Sequence, residues 1–185
     1  MRLNCTCCRL ALALIPALFL LVAPAAAQEK VSPVVKGFGA INPIPKATKK
    51  PDAALDYRIV VDVYKEAEKP DQLVPGLHHT ARMLNLHGYG GVPEEKLQVV
   101  LVVHGPALAL VLDNRAYREK FGTDNPNIPL IRALKEAGVE LYVCGQSMIA
   151  RGYDFAALNP AIGLSVSALT VLTEYQLKGY ALITF

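Results

Sequence analysis

Cysteine is scarce in this chain, and where the few cysteines lie limits what kind of protein it is. Of the four cysteines in 185 residues, Cys5, Cys7 and Cys8 lie close to the N-terminus and only Cys144 lies deeper in the chain. A chain that keeps only Cys144 after removal of its N-terminal segment cannot close an intramolecular disulfide, so a fold held together by disulfides is excluded. Cys144 is then an inert buried residue, an intermolecular linker or a reactive thiol.

The apolar run near the N-terminus, from Leu10 to Val22, is too short to be a stable membrane anchor. The hydrocarbon core of a bilayer needs about 20 apolar residues, and Pro16 interrupts this shorter run. Two arginines precede the run, and three alanines, residues 25–27, follow it. This pattern predicts a signal peptide over residues 1–27, with Gln28 as the mature N-terminus. We therefore expect a periplasmic or secreted protein.

The mature chain has almost no excess of charge of either sign. Removal of residues 1–27 leaves seventeen basic residues against sixteen acidic ones. Nucleic-acid binding needs clustered Lys and Arg that release counterions from phosphates, and no mature segment concentrates them in that way. A nucleic-acid partner is therefore not expected.

The familiar motifs of metal, phosphate and serine chemistry are also missing. His78 and His79 are adjacent on a predicted helix, so their side chains point about 100° apart and lack the spacing of a metal-binding pair. Residues 88–91 are rich in glycine, but no Lys-Ser/Thr follows them, and the chain has no Gly-x-Ser-x-Gly elbow. No metal and no cofactor is predicted.

The periodicity of the mature chain divides it at about residue 57. Residues 28–56 contain four prolines and no helical or strand period, which predicts a Pro-rich extended arm serving as a spacer or a clasp. From Tyr57 to Phe185, strand-like and helix-like segments alternate. The first predicted strand begins at Tyr57, and the other four cover 97–103, 139–143, 162–166 and 180–185. The predicted helices lie near 77–87, 106–112, 114–121, 125–138, 147–151 and 168–178.

This alternation predicts an α/β fold, a three-layer α/β/α sandwich with a mainly parallel five-stranded sheet. The almost unbroken apolar run Leu97–Val103 is typical of a strand that is covered on both faces. Asn125 is the predicted N-cap of the third long helix, and Ser167 is the predicted cap of the last one.

His104 and Cys144 both follow predicted strands, at the edge of a parallel sheet where ligand sites gather. Backbone N–H groups and a helix dipole there favour a thiolate, and Gly145 leaves room for an incoming group. Free cysteine is equally a common buried apolar side chain, and a histidine before Gly-Pro is equally a turn cap. Position alone leaves these alternatives open.

Three segments of the chain, 99–107, 139–147 and 174–180, resemble the DsrE/DsrF-like family. They are a valine-rich strand ending in His-Gly, a strand ending in Cys after a Gly-Val turn, and a helix running through Gln into Gly-Tyr. The resemblance covers about 57–185. It implies a homotrimer or homohexamer of small α/β/α subunits, with Cys144 at the position that carries sulfur as a persulfide.

Two hypotheses follow. In the first, the protein is a periplasmic sulfurtransferase or sulfur carrier: Cys144 holds sulfane sulfur, His104 and the N–H groups of Gly145 and Gln146 stabilise the negative sulfur, and Gly105 and Ser147 complete the site. In the second, the protein is a non-catalytic oligomeric module that binds a small ligand. The second hypothesis predicts a buried, unreactive Cys144.

Overall fold

The computed structural model describes residues 29–185. The predicted signal peptide, residues 1–27, lies outside the described residues and stays a prediction. Within 29–185, none of the helices has the length and apolar character needed to cross a membrane.

Strands and helices alternate along the domain, as the periodicity predicts. Short 3-10 turns at Glu94–Lys96, Gly105–Val111 and Phe155–Ala157 separate some of them. The elements are β1 Tyr57–Val63, α1 Pro75–Tyr89, β2 Leu97–Val103, α2 Asn114–Phe121, α3 Ile128–Glu136, β3 Glu140–Cys144, α4 Gly145–Ala150, β4 Gly163–Ser165, α5 Ala168–Leu177 and β5 Ala181–Thr184.

The five strands form one sheet in the order β4-β3-β2-β1-β5, and every pairing is parallel. Parallel neighbours need a crossover, and the helices between the strands supply it. The predicted α/β sandwich is confirmed. The central position of β2 explains its continuous apolar sequence, because both of its edges are paired and both of its faces are covered.

The two faces of the sheet carry different covers. Val99, Leu101 and Val103 of β2 face one core, to which α1, α3 and α4 contribute, whereas Val100 and Val102 face a smaller core beneath α5. Successive side chains of a strand point to opposite faces, so one apolar run serves both cores. The second face is the one that carries Cys144.

Two helix starts differ from the sequence predictions. α3 begins at Ile128, with Asn127 as its N-cap, rather than after Asn125. The buried Asn125 side chain donates from Nδ2 to the carbonyls of Leu110 and Leu112 at 2.8 and 2.7 Å, and its Oδ1 accepts from the N–H of Asn127 at 3.0 Å. Asn125 therefore anchors the turn before α2 and is not an N-cap. α4 begins at Gly145, two residues before Ser147, so the helix starts directly where β3 ends.

The Pro-rich arm lies against its own domain instead of extending away from it. Val35 and Ile41 are buried, with exposures of 0% and 1%, and Val31 pairs with Ile41 in an antiparallel bridge. Gly39 has a φ of +60°, and a Cβ there would lie 2.3 Å from the backbone nitrogen of Arg82 in α1. The arm therefore needs glycine at this point to reach the helix.

Candidate functional site

Cys144 lies where three elements meet. It is the last residue of β3 and the N-cap of α4, and its side chain packs with Ala168 in the first turn of α5. The residue is only 4% exposed. The thiol is therefore covered in the isolated chain, although it lies at the carboxyl edge of the sheet.

Hydrogen bonds at the starts of two helices surround the sulfur. The N–H of Ser147 donates to Cys144 Sγ at 3.4 Å, and Sγ lies 3.9 Å from the hydroxyl oxygen of Ser167. Burial raises the pKa of the Cys144 thiol, but the Ser147 hydroxyl, the N–H groups of Ala168 and Ser147, and the Ser167 hydroxyl together lower it further than burial raises it. The net effect is a lowered pKa, because these donors favour the charged form of the sulfur.

The residues after Cys144 have different roles from those expected. The N–H of Gln146 donates to the carbonyl of Val166 at 3.3 Å, so Ser147 rather than Gln146 supplies the backbone donor to sulfur. Gly145 is buried, and a Cβ there would lie 2.8 Å from the carbonyl oxygen of Ser165. Its missing side chain makes room for the end of β4 rather than for an incoming group.

His104 directly follows β2, and its side chain is hydrogen-bonded to Asp62 of β1. The distance from His104 Nε2 to Asp62 Oδ1 is 2.7 Å, and the two side chains are 25% and 18% exposed. The backbone N–H of His104 donates to the carbonyl of Val63 at 3.1 Å, which holds the extended residue beside β1. The His104 side chain does not cap the turn that follows it.

Tyr64 and Gly105 complete the surroundings of His104. The Tyr64 ring lies 5.2 Å from the imidazole, centroid to centroid. Gly105 has a φ of +58°, and a Cβ there would lie 2.4 Å from the Tyr64 ring. Gly105 is thus required for the close approach of Tyr64, and this contact sets the position of the ring against His104.

Asp62 and Ser167 are site residues that the sequence prediction does not include. Asp62 is the one charged residue in the run 59–63, which is otherwise apolar, and that is a signal for a polar role at the strand end. Ser167 is predicted correctly as a helix cap, since its hydroxyl oxygen accepts from the N–H of Leu169 at 3.2 Å. Its second role at Cys144 depends on the packing of α5 against β3.

A shallow apolar depression lies beside the start of α4. It has a volume of about 300 Å³, and Gly145, Gln146 and Ser165, the register partner of Cys144, lie in its wall. Four exposed apolar side chains, which we call the apolar rim, also line it: Ile149, Phe155, Leu164 and Val166. Their exposed fractions are 63, 45, 49 and 74%.

The two neighbouring histidines of α1 are not part of a metal cluster. His78 and His79 have ring centroids 6.0 Å apart, and the His79 ring packs edge-on against Phe185 at 5.1 Å. Across residues 29–185 no group of three His, Cys, Asp or Glu side chains is placed to hold a metal ion.

Comparison with known proteins finds similarity at the level of family and fold. A family model described as the DsrE/DsrF-like family matches residues 59–185. No curated protein matches the chain. Among solved structures, the protein of unknown function MTH1491 from Methanobacterium thermoautotrophicum is similar, with 16% identity and a TM-score of 0.54 over 70% of this chain and 100% of that one. The ychN protein from E. coli has 17% identity and a TM-score of 0.51 over 70% and 99% of the two chains.

Proposed function

Because the chain belongs to the DsrE/DsrF-like family, we propose that it is a sulfur-relay protein, a sulfurtransferase or sulfur carrier, that holds sulfane sulfur as a persulfide on Cys144. The observation that carries the proposal is the set of donors around Sγ, from Ser147, Ser167 and Ala168, which lowers the pKa of the thiol in spite of its burial. Thiolate is the nucleophilic form of cysteine, so the donors favour the reactive species.

The proposed reaction needs no cofactor. The Cys144 thiolate attacks the outer sulfur of a donor persulfide, the donor's S–S bond breaks, and its electron pair leaves with the donor thiolate. An acceptor thiolate later attacks the outer sulfur on Cys144, and Cys144 leaves as a thiolate in the same set of donors. The sulfane sulfur is passed on with no net oxidation or reduction, as in thiol–disulfide exchange.

The compartment and the assembly are part of the proposal. The N-terminal pattern of residues 1–27 supports export to the periplasm. The resemblance supports a homotrimer or homohexamer, and the exposed apolar rim supports contact between copies, since exposed apolar patches mark interaction sites. The sulfur donor and acceptor are other thiol compounds or proteins of that compartment.

One observation favours the second candidate function, a non-catalytic oligomeric module that binds a small ligand. Cys144 is 4% exposed, so a donor reaches Sγ only after the first turn of α4 or α5 moves aside. If that opening is rare, the thiol is a packing residue and the fold serves binding alone.

The persulfide is tested by intact mass. Variants Cys5→Ser, Cys7→Ser and Cys8→Ser leave Cys144 as the sole thiol of the chain. Treatment of the folded protein with polysulfide is expected to add about 32 Da, one sulfur atom, which a reductant removes. The same protein with Cys144→Ala is expected to gain no mass.

Native and urea-unfolded samples decide between the two candidate functions. An increment in the native sample supports the relay. An increment that forms only after unfolding contradicts the relay and supports the binding module, because the thiol then reacts only when its cover is removed.

A further inference from the structure

The Asp62–His104 pair lies at the same edge of the sheet as Cys144 and on the same face. Asp62 pairs in register with Val102, and Val102 and Val60 belong to the core that also contains Cys144. His104 is two residues beyond Val102, so strand alternation returns its side chain to that face. Asp62, His104 and Cys144 therefore follow one another across β1, β2 and β3.

The spacing between His104 and Cys144 is that of neighbouring strands. Val103 pairs with Val143, and His104 and Cys144 are the next residue on each strand. Adjacent strands lie about 4.8 Å apart. From this backbone spacing we infer that a group bound to Cys144 sulfur comes within reach of the imidazole.

The imidazole is nevertheless not the partner of the thiol. Sγ contacts the N–H of Ser147 and the hydroxyl of Ser167, whereas His104 Nε2 contacts Asp62. The donors at the helix starts favour the thiolate form of Cys144 and lower its pKa, so His104 remains available to a second sulfur. Besides Asp62, the titratable side chain in contact with the imidazole is Tyr64, whose ring packs on it. Cys144 ends the neighbouring strand β3.

We propose that His104 is the general acid that protonates the sulfur leaving the donor, and that Asp62 is its positioning residue. This rests on the proposed function. When Cys144 thiolate attacks the donor, the donor's S–S bond breaks and its electron pair leaves as a thiolate. The imidazolium transfers one proton to that thiolate and becomes neutral imidazole, which takes a proton back from solvent through its exposed quarter.

The hydrogen bond to Asp62 decides which nitrogen of His104 faces the donor. A carboxylate that accepts from one ring nitrogen holds the imidazole in one orientation. Nδ1 is then the nitrogen left to meet the leaving sulfur. The arrangement predicts that the effect of His104 on the reaction rate depends on the leaving group. A basic thiolate needs a proton in order to leave, whereas a stable thiolate does not.

Two small neutral disulfides test this dependence on the protein whose only thiol is Cys144. Dipyridyl disulfide releases a stable anion, and hydroxyethyl disulfide releases a basic thiolate. His104→Ala is expected to slow the reaction with hydroxyethyl disulfide by about 10- to 100-fold, and the reaction with dipyridyl disulfide by less than about twofold. Asp62→Asn is expected to slow the first reaction by about 3- to 10-fold. Imidazole added to the buffer is expected to restore the His104→Ala rate.

Equal slowing with both disulfides, or no rescue by imidazole, overturns the proposal, because a structural defect affects both probes alike. His104→Gln serves if His104→Ala does not fold, and far-UV circular dichroism checks each variant. The outcome is separable from the persulfide test. If polysulfide adds no mass but the leaving-group effect is present, the sulfur relay is contradicted and the general-acid role of His104 stands. If polysulfide adds mass but the leaving-group effect is absent, only the general-acid role is contradicted.

Discussion

At the scale of single residues, Cys144 is subject to two opposing effects. Burial raises the pKa of its thiol, and the donors from Ser147, Ala168 and Ser167 lower it by more. A covered cysteine with no such donors behaves as a small apolar side chain. The donors therefore distinguish Cys144 from a packing residue, and the two hydroxyls among them can each be removed by one substitution.

Ser167→Ala is expected to raise the pKa of the Cys144 thiol, because a donor to the thiolate is lost. In the wild-type protein the alkylation rate is expected to rise with pH around a midpoint lowered by the donors to the Cys144 sulfur. In the variant the midpoint moves up, so alkylation at neutral pH slows. The measurement is the iodoacetamide rate against pH, with Cys144 as the only thiol.

Asp113→Ala is the matched control for that substitution. Asp113 caps α2 by accepting from the N–H of Ala116 at 2.7 Å and has no part in the hydrogen bonds of Cys144. Either variant is expected to lose about 1 kcal/mol of stability with its cap. If both shift the alkylation midpoint equally, the Ser167 hydroxyl has no specific effect on the thiol.

At the scale of elements, the arm and α1 act as one unit through Asn85. This fully buried side chain accepts from the N–H groups of Val34 and Val35, both at 2.9 Å, and donates to the carbonyls of Phe38 and Gly39 at 2.8 and 3.1 Å. One amide thus satisfies four backbone groups of a segment that has little secondary structure of its own. Such buried backbone groups need partners, so the arm depends on this residue.

Asn85→Ala is expected to lower the free energy of unfolding by about 2–4 kcal/mol, because it leaves buried donors and acceptors unpaired. Urea denaturation followed by circular dichroism measures the loss. Asn42→Ala, an exposed asparagine of the same arm, is the control and is expected to change stability by less than about 0.5 kcal/mol. A similar small change in both variants would show that the arm contributes little to the fold.

At the scale of the whole molecule, the sheet is covered unequally. Three helices pack on the first face, and α5 alone covers the second, with Leu169 and Leu177 exposed at 76% and 85%. The apolar rim adjoins the edge strand β4, beside the start of α5. Exposed apolar surface at a strand edge is a liability unless another chain covers it. The proposed homo-oligomer is the cover that the resemblance implies.

Val166→Lys is expected to weaken the assembly, because it places a charge in the apolar rim. Light scattering after size-exclusion chromatography is expected to show a mass reduced toward that of one chain. Leu55→Lys replaces a residue that is 55% exposed near the opposite, amino-terminal end of β1, and is expected to leave the mass unchanged. A wild-type protein that is itself monomeric contradicts the assembly at once.

The local patterns of the sequence account for the elements and for the place of the thiol. The apolar run of β2 predicts a parallel sheet covered on both sides, and the sheet is of that kind. Cys144 is correctly placed at a strand end and Ser167 at a helix cap. Each of these predictions uses neighbours within one element, where the period of side chains is set by backbone geometry alone.

The contacts between distant segments depend on the tertiary structure. Asn125 looks like an N-cap in sequence, yet its side chain satisfies carbonyls of a preceding turn. Gly145 looks like room for a ligand, yet the end of β4 fills that space. In both cases the competing partner is more than ten residues away in the chain, beyond the range of any local pattern.

The sequence by itself therefore determined the alternation of strands and helices, the class of fold and the strand end that carries Cys144. The tertiary structure decided the strand order. It thereby decided that Asp62, His104 and Cys144 lie side by side at the ends of three neighbouring strands. It also decided that α5 brings Ser167 to the sulfur. The physical reason is that periodicity reports which face of an element is buried, whereas strand order and helix placement depend on how the faces of distant elements pack together.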